Sequence, residues 1–242
     1  MNRRKIVVLS GAGISVESGI APFRGTGGLW NNADLARLAT VQAWKERTAE
    51  VLEFYNQRRS YLRQVEPNSA HLLLARMERD FDVVILTQNV DDLHERAGST
   101  NVIHLHGELT KARPEDVYNQ ADGFCEDEVI DIGYDEIHLG DTGGKNHSQL
   151  RPHIVFFGEP VPNILKAQRE VSGADILLVV GTSLLVFPAA GLCRFASRNC
   201  ETFVIDPKRP ETNVGRPVHF IGKKATEGME EFARCVKFPE IL

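Results

Sequence analysis

Short, continuous apolar runs alternate along the chain with segments whose apolar residues recur at helical spacing. The runs predict buried strands, because the strands of a parallel sheet that is covered on both faces are apolar throughout. They span residues 6–9, 83–86, 102–103, 154–157, 176–180 and 203–205. Helices are predicted at residues 35–62, 70–79, 164–172, 189–198 and 228–236. This alternation indicates an α/β fold with a Rossmann-like, doubly wound, mostly parallel sheet.

Two segments interrupt the alternation of strands and helices. Residues 31–67 carry a helical pattern without a strand, and residues 107–150 show little periodicity of either kind. We interpret them as two insertions that together form a smaller lobe. The Rossmann-like lobe then comprises residues 1–30, 68–106 and 151–242, and both lobes belong to one domain that spans 1–242.

The composition, 42% hydrophobic and 25% charged over 242 residues, is typical of a folded globular domain. The net charge of −5 argues against a protein that binds nucleic acid by neutralising phosphates. Residues 113–150 alone hold ten Asp and Glu against two Lys and Arg. No run approaches the roughly 18 apolar residues of a membrane-spanning helix, and none near the start is long enough for a signal peptide. Four scattered cysteines favour a reducing, cytoplasmic compartment.

A glycine-rich turn follows the first predicted strand directly. Gly11 and Gly13 match the beginning of the dinucleotide-binding fingerprint G-x-G-x-x-G, but Val16 stands in the place of the third glycine. Such a turn lets backbone N–H groups approach a pyrophosphate at the start of a helix. Because the fingerprint is incomplete, a tight strand-to-helix turn without a ligand remains an alternative.

The loop after this turn combines flexible backbone with large side chains. Residues 22–30 contain three glycines together with Phe23, Arg24 and Trp30. Glycines allow the backbone to move, and the large side chains can contact a ligand. The combination predicts a loop that closes over a bound molecule.

Polar residues cluster where the predicted strands end. Gln88, Asn89 and Asp91 follow the second strand, residues 181–183 follow the fifth, and Asp206 follows the sixth. The carboxyl ends of parallel strands meet in the crevice where α/β folds bind ligands, so these residues suit ribose hydroxyls and phosphates. A helix N-cap by Asn89 or Asp91 is an alternative, but it explains one polar residue and not three.

His104 and His106 lie two residues apart on a predicted strand, so their side chains share one face. A histidine at a strand end can act as a general base, because its ordinary pKa is close to neutral. We assign His104 a structural role, which is the more common role of a lone histidine. His106 stands where the strand opens into the crevice and is the candidate base.

Six motifs, in this order, resemble those of the sirtuins. They are Gly11 to Ile20, Pro22-Phe23-Arg24, Thr87 to Asp91, His104-x-His106-Gly107, Arg151 to Glu159 and Gly181-Thr182-Ser183. The resemblance extends from residue 6 to about residue 225. It implies NAD-dependent removal of acyl groups from lysines of proteins or peptides, with release of nicotinamide and transfer of the acyl group to ADP-ribose.

The resemblance also implies roles for individual residues. His106 would be the general base that activates a ribose hydroxyl of NAD. Asn89 would be the second catalytic residue and would hold the nicotinamide and its ribose with Asp91, while Gln88 would bind ribose hydroxyls. The residues implied in NAD binding are Gly11, Ala12, Gly13, Ser15, Phe23, Arg24, Trp30, Gln88, Asn89, Asp91, Gly181, Thr182, Ser183, Asp206 and Ala225.

Two further motifs concern the acylated substrate. By the same resemblance, Phe157-Gly158-Glu159 would receive the substrate backbone as an added strand. Tyr55 and Arg58 lie three apart on one face of a predicted helix. In sirtuins that prefer acidic acyl groups, a Tyr-x-x-Arg pair binds the distal carboxylate, and a guanidinium fork with a hydroxyl suits that task. We therefore expect a preference for succinyl or malonyl groups, against the alternative of a solvated helix face with a packed tyrosine.

The sequence departs from the sirtuin pattern in the second insertion. Most sirtuins carry two cysteine pairs there, which form a structural zinc site. Residues 108–150 contain a single cysteine, Cys125, and its neighbours His138 and His147 match no zinc spacing. We expect no zinc and no other metal site. The acidic segment is either a solvated surface or a negative rim that attracts lysine-rich substrates.

Other functions stay open at this point. An NAD-dependent mono-ADP-ribosyltransferase or NAD hydrolase would use the same cofactor pocket, and a non-catalytic NAD-sensing module would bind the cofactor without turnover. The presence of His106 together with Tyr55 and Arg58 favours deacylation. A dehydrogenase is disfavoured, since the third fingerprint glycine and a separate substrate domain are missing. The sequence does not indicate an oligomeric state.

Overall fold

The computed structural model describes residues 3–22, 37–116, 118–119, 123–124, 128–210 and 214–239. Its strands are β1 Lys5–Ser10, β2 Asp82–Thr87, β3 Val102–His104, β4 Gly107–Pro114, β5 Tyr118–Asn119, β6 Gly123–Phe124, β7 Ile130–Asp131, β8 Thr142–Gly143, β9 Ser148–Ile154, β10 Ile176–Val180, β11 Glu201–Ile205 and β12 His219–Ile221. Its α-helices are Val41–Glu46, Thr48–Leu62, Ser69–Met77, Leu93–Arg96, Ile164–Ser172 and Ala225–Cys235. Among the described helices, none is long and apolar enough to cross a membrane.

Six strands form one parallel sheet in the order β12-β11-β10-β1-β2-β3. β1 lies in the middle, where Ile6 pairs with Ile176 on one side and with Val83 on the other. Its four central residues, Ile6 to Leu9, are all apolar because successive side chains point to opposite faces and both faces are covered. The predicted α/β fold with a Rossmann-like, mostly parallel sheet is confirmed.

Each face of this sheet has its own hydrophobic core. On one face, Ile6 and Val8 pack with residues of the helices Ser69–Met77 and Ala225–Cys235. On the other face, Val7 and Leu9 pack with residues of the helix Ile164–Ser172 and of a short 3-10 helix, Ala189–Phe195. The two layers of helices leave the carboxyl ends of the strands accessible as a crevice.

A second, antiparallel sheet has the order β7-β4-β9-β8. It shares a third hydrophobic core with the two helices Val41–Glu46 and Thr48–Leu62, in which Trp44, Leu52, Tyr55, Leu109 and Phe156 are buried. The segments around residues 41–62 and 107–156 therefore pack against each other. Leu93, at the start of the helix Leu93–Arg96, belongs to the same core and connects it to the parallel sheet.

The prediction of a buried parallel strand at residues 154–157 is wrong. Ile154 is the last residue of β9 and pairs with Gly107 in the antiparallel sheet. Phe157 forms only an isolated bridge, with Thr40. The segment is apolar because Ile154 and Phe156 are buried in the core of the second sheet and not in the core of the first.

The other differences arise where local pattern is a weak guide. The predicted helix at 35–62 is interrupted twice, at Thr40, whose backbone is extended and bridged to Phe157, and at Arg47, whose backbone leaves the helical region at φ −139° and ψ 41°. The segment predicted as a helix at 189–198 forms a 3-10 helix over Ala189–Phe195. Within 107–150, β4 was not predicted, because a bulge between Glu108 and Ala112 disrupts the alternation of its side chains. β12 has three residues, too few to show a period.

Candidate active site

The turns that follow β1 and β10 cross each other at the edge of the sheet. Gly11 N donates to Val180 O over 3.0 Å, and Gly13 N donates to Gly181 O over 2.8 Å. A Cβ on Gly13 would lie 2.6 Å from the Cα of Gly181, which itself has a φ of +61°. The glycines thus allow two strand-end turns to touch. These two N–H groups are bonded within the protein, and the expected place of the glycines beside a pyrophosphate stays a prediction.

A buried polar cluster lies beside this crossing, between the ends of β1 and β2. Ser15 Oγ donates to Asp91 Oδ2 over 3.0 Å, and Asn89 Nδ2 donates to Ser15 Oγ over 3.1 Å. All three residues are buried. Burial raises the pKa of Asp91 to about 6, although hydrogen bonds from Leu93 N and Ser15 Oγ oppose the rise. The cluster therefore holds a carboxyl group whose ionised form is costly.

Asp91 also bonds to the start of the helix Leu93–Arg96, although the N-cap of that helix is Asp92 and not Asn89 or Asp91, as the alternative interpretation had it. Its Oδ1 accepts a hydrogen bond from Leu93 N over 3.3 Å, at the start of the helix Leu93–Arg96. The other carboxylate oxygen faces Ser15. The two oxygens of the Asp91 side chain thus bond to Leu93 N and to Ser15.

Gln88 connects this cluster to two neighbouring strand ends. Its Nε2 donates to Thr182 Oγ1 over 3.1 Å, and its backbone oxygen lies 3.0 Å from His106 Nδ1. Thr182 Oγ1 also accepts from Leu184 N, while Ser183 is exposed. The polar residues predicted at three strand ends, those of β2, β3 and β10, are therefore brought together.

His106 is held in the state that a general base requires. Because the Gln88 carbonyl can only accept, the Nδ1 of His106 carries the proton and Nε2 keeps its lone pair. Burial lowers the pKa of His106 below its ordinary value, and the hydrogen bond to Gln88 only partly offsets this. The imidazole is therefore neutral at pH 7 and can accept a proton at Nε2.

His104 differs from His106 although both come from the same strand segment. Its Nδ1 lies 3.2 Å from Asn89 O and its Nε2 lies 2.9 Å from Glu95 Oε1. Burial lowers its pKa, but the hydrogen bond and charge of Glu95 and the charge of Glu108 raise it further, so the net shift is upward. With both nitrogens bonded, His104 has a structural environment, as expected for it.

Tyr55 and Arg58 lie on the helix Thr48–Leu62, which shares a hydrophobic core with the antiparallel sheet. Tyr55 is buried and stacks on Phe156 with the ring centroids 5.6 Å apart. The half-buried Arg58 guanidinium lies 5.5 Å from the centroid of the Phe54 ring. Burial lowers the pKa of Arg58, and the charges of Tyr55 and Asp91 oppose that shift, which brings Asp91 into the surroundings of Arg58.

The segment expected to receive the substrate is partly committed to the protein. Phe157 N donates to Ala39 O, and Phe157 O accepts from Val41 N. The Glu159 carboxylate accepts two hydrogen bonds from Arg151, at 2.7 and 3.1 Å, and one from Phe156 N. The Glu159 carboxylate is therefore used to neutralise a buried arginine, and the expected contact of this segment with a substrate backbone stays a prediction. Gly158 is exposed and stays a candidate.

The far end of the sheet carries the residues expected near adenosine. Asp206 is half-buried and accepts a hydrogen bond from Lys208 N over 2.9 Å, and burial raises its pKa. Ala225 is buried as the first residue of the helix Ala225–Cys235. Phe23, Arg24 and Trp30 lie outside the described residues.

Comparison with known proteins shows which protein family has this fold and this set of residues. The sequence model of the Sir2 family matches residues 11–188. The chain belongs to the Sir2 family. A relative from Bacteroides thetaiotaomicron named NAD-dependent protein deacylase is 46% identical over 235 residues, covering 96% of this chain and 98% of its own. One of the same name from Helicobacter pylori is 44% identical over 228 residues, covering 94% and 95%.

Solved Sir2 structures share the whole fold. A Sir2 homologue in complex with NAD has a TM-score of 0.82 and 37% identity, over 97% of this chain and 90% of its own. A Sir2 structure with a p53 peptide and NAD+ has a TM-score of 0.77 and 27% identity, over 97% and 94%. The sequence resemblance to the sirtuins is thereby confirmed.

The described residues fit NAD. Side chains in place of the crossing glycines would force the two turns apart. With glycines the turns pack closely, and a ligand can approach the backbone at the edge of the sheet. The crevice offers hydroxyl, amide and carboxylate groups from Ser15, Asn89 and Asp91 at one end, and the Asp206 carboxylate at the other. Such a spread of polar groups along a sheet edge suits the two ribose units of a dinucleotide.

A metal site is absent from the part of the chain that the structure describes. There, no three His, Cys, Asp or Glu side chains lie close enough together to hold a metal ion. His138 is exposed, with its Nε2 3.6 Å from Glu136 Oε2. Cys125 lies outside the described residues.

One buried histidine near the site was missed by sequence reasoning. His94 Nε2 lies 3.0 Å from Ser10 Oγ at the end of β1, and its ring meets that of His71 edge-on, with the centroids 4.9 Å apart. Burial lowers the pKa of His94 well below its ordinary value. No local pattern marks this residue, because its partners come from distant parts of the chain.

Proposed function

We propose that this protein is an NAD-dependent protein-lysine deacylase that prefers acidic acyl groups such as succinyl and malonyl. The deacylase activity is that of the relatives, which share more than two fifths of their residues with this chain along nearly its whole length. The preference for acidic groups is supported by Arg58 in the second lobe, which is half-buried and forms no ion pair with any of the residues that the structure describes.

NAD, when bound, would supply an anomeric carbon from which nicotinamide leaves and a ribose hydroxyl that receives the acyl group. The residues of this chain prepare that transfer. The neutral His106 takes a proton at Nε2, since Nδ1 is already bonded to the Gln88 carbonyl. Asn89 and Asp91 are fixed through Ser15, which orients polar groups at the nicotinamide end of the crevice. Burial of this cluster excludes water and strengthens its electrostatic interactions.

The single observation that carries the acyl preference is the contrast between two neighbouring arginines. Arg59 is fully buried and donates hydrogen bonds to Leu109 O, Asn56 Oδ1 and Asp135 O. For Arg58, none of the described residues accepts a hydrogen bond from the guanidinium, although it is half-buried beside Phe54. A half-buried guanidinium that lacks an acceptor suits a carboxylate brought by the substrate, which would bind it as a fork.

The experiment compares Arg58→Met with the unchanged protein on succinyl-lysine and acetyl-lysine versions of one peptide. Loss of a charge-assisted hydrogen-bonded pair costs about 1.5–3 kcal/mol, so kcat/KM on the succinyl peptide should fall about ten- to hundredfold. The acetyl peptide has no distal carboxylate, and its kcat/KM should change little. Arg47→Met, which removes an exposed arginine at the start of the same helix, is the matched control. Equal losses on both peptides would refute the carboxylate role.

The scarcity of cysteine supports two further parts of the proposal. We propose that the second lobe needs no zinc, since residues 108–150 contain one cysteine and a four-thiolate site needs four. We also propose a cytoplasmic enzyme, since unpaired cysteines are typical of reducing compartments. Among the described residues, Cys193, Cys200 and Cys235 are free thiols.

A further inference from the structure

Residues 132–138, which we call the strap, lie in the segment between β7 and β8. The strap belongs to the acidic segment of the second lobe, where most sirtuins have their zinc cysteines. Ile137 is buried in the core of that lobe, and Ile132 and Tyr134 pack against the same core. The strap contacts the helix Thr48–Leu62 on one side and the segment after β2 on the other, through separate hydrogen bonds.

The contact with the helix is made by Asn56. Its Nδ2 donates to Ile137 O over 2.9 Å, and its Oδ1 accepts from Ile137 N over 3.0 Å. Arg59 reinforces this pair, because its Nη1 donates to Asn56 Oδ1 over 2.7 Å and to Asp135 O over 3.2 Å. Both residues are buried and each directly follows a residue of the Tyr55–Arg58 pair. The rotation of the helix about its axis is therefore fixed by the strap.

The contact with the NAD side is made by Tyr134. Its hydroxyl donates to Asp92 Oδ2 over 2.5 Å. Asp92 Oδ1 lies 3.7 Å from Arg96 Nη1, and Arg96 Nη2 lies 2.8 Å from Glu66 Oε2. Asp92 directly follows Asp91 of the buried polar cluster, so the hydroxyl of Tyr134 holds the backbone next to the groups expected to bind nicotinamide.

We propose that Tyr134 and Asn56 are positioning residues that act through the strap. Tyr134 fixes the segment 88–92 through Asp92 and so favours NAD binding. Asn56 fixes the helix that carries Arg58 and so favours acyl recognition. The second half of this inference rests on the proposed function, and the first half rests only on NAD binding. Hydrogen bonds from the strap thereby set the distance between the helix that carries Arg58 and the segment 88–92.

The first test measures binding of NAD to Tyr134→Phe by isothermal titration calorimetry, without peptide. Removal of the hydroxyl leaves Asp92 with Arg96 alone, and we expect the Kd for NAD to rise about three- to tenfold. Tyr61→Phe is the matched control, since among the described residues its exposed hydroxyl donates to one backbone oxygen, that of Gly19. A Kd for Tyr134→Phe equal to that of the control would overturn the role of Tyr134.

A double-mutant cycle tests the route through Asp92. In an Asp92→Ala background, Tyr134→Phe should change the Kd for NAD less than twofold further, because the partner is already gone. Losses that multiply would show that the hydroxyl acts elsewhere and would overturn the proposal. Melting curves of all variants show whether each is folded before binding is measured.

The second test separates acyl recognition from NAD binding. Asn56→Asp keeps the acceptor for Ile137 N and Arg59 but loses the donor to Ile137 O. We expect it to raise the KM for a succinyl-lysine peptide about three- to tenfold and to leave the Kd for NAD within twofold, the reverse of Tyr134→Phe. Equal changes of both constants in both variants would mean general loosening and would overturn the inference. If the unchanged protein does not distinguish succinyl from acetyl peptides, the proposed acyl preference fails, while the NAD result for Tyr134 still stands.

Discussion

Ser15 donates a hydrogen bond from its hydroxyl to the carboxylate of Asp91 over 3.0 Å, with both side chains buried at the end of the crevice. A buried carboxylate with one hydroxyl and one distant backbone N–H as partners is poorly compensated for its loss of water. Its pKa is accordingly raised to about 6. The folded protein thus retains a group that costs stability at neutral pH, which is typical of a residue kept for function.

Asp91→Asn is expected to stabilise the ligand-free protein and to weaken NAD binding. The pKa of Asp91 in the folded protein exceeds the ordinary value of 3.8. Protonation of Asp91 therefore contributes to the free energy of unfolding in full below pH 3.8, and this contribution is lost as the pH rises through about 6. The amide carries no charge, so the gain in Tm should be largest at pH 7–8. It should shrink as the pH is lowered towards 4.

Thermal melting between pH 4 and pH 8 checks this expectation, with NAD titration alongside. Asp80→Asn, which neutralises an exposed aspartate in a turn, is the control for a general change of charge. A gain in Tm that is the same at every pH, or no gain at all, would contradict a costly ionised Asp91.

The variant His106→Ala should lose most of the deacylase activity but still bind NAD. A positioned general base contributes about 10²- to 10⁴-fold to the rate, so kcat should fall by that order. The Kd for NAD should change little, since His106 is proposed to move a proton. In the unchanged enzyme, kcat should decline only below about pH 6.5, because burial lowers the pKa of His106. A decline that begins above pH 7 would contradict a neutral, buried base.

Removal of metal should leave the protein intact. Dialysis against a chelator is expected to change neither the Tm nor the deacylase activity, because the strap and β4–β9 pairing hold the second lobe by hydrogen bonds. Metal analysis of the purified protein by mass spectrometry provides the direct check. Stoichiometric zinc that survives the dialysis would contradict a metal-free lobe.

The strands of the parallel sheet could be predicted because each is marked by a continuous apolar run in the sequence. Residues 176–180 form an unbroken apolar run and are β10 with the same bounds, since a strand covered on both faces needs an apolar residue at each position. The carboxyl ends of the strands then locate the crevice without knowledge of any contact. Gln88 and Thr182, whose side chains are hydrogen bonded, could be placed near each other on this basis.

The second lobe could not be predicted in the same way. Ile154 looked like part of the parallel sheet because an apolar run does not reveal which core it enters. Glu159 lies in a segment that matched a substrate motif, but its carboxylate pairs with the buried Arg151. The spacing of residues in the sequence does not reveal such a pair. Asn56 and Tyr134 bond to residues that are 81 and 42 positions away in sequence, so only the fold identifies them.

The central claim, NAD-dependent deacylation with an acidic preference, is tested most directly by mass spectrometry of a single peptide carrying acetyl-, succinyl- or malonyl-lysine, with and without NAD. We expect the peptide to lose its acyl group only with NAD, acyl-ADP-ribose to appear, and the succinyl and malonyl peptides to react faster. A peptide that gains the mass of ADP-ribose would instead identify a transferase, and consumption of NAD without a change in the peptide would identify a hydrolase. An unchanged peptide and unchanged NAD would identify a binding module, and any of these three results would contradict deacylation.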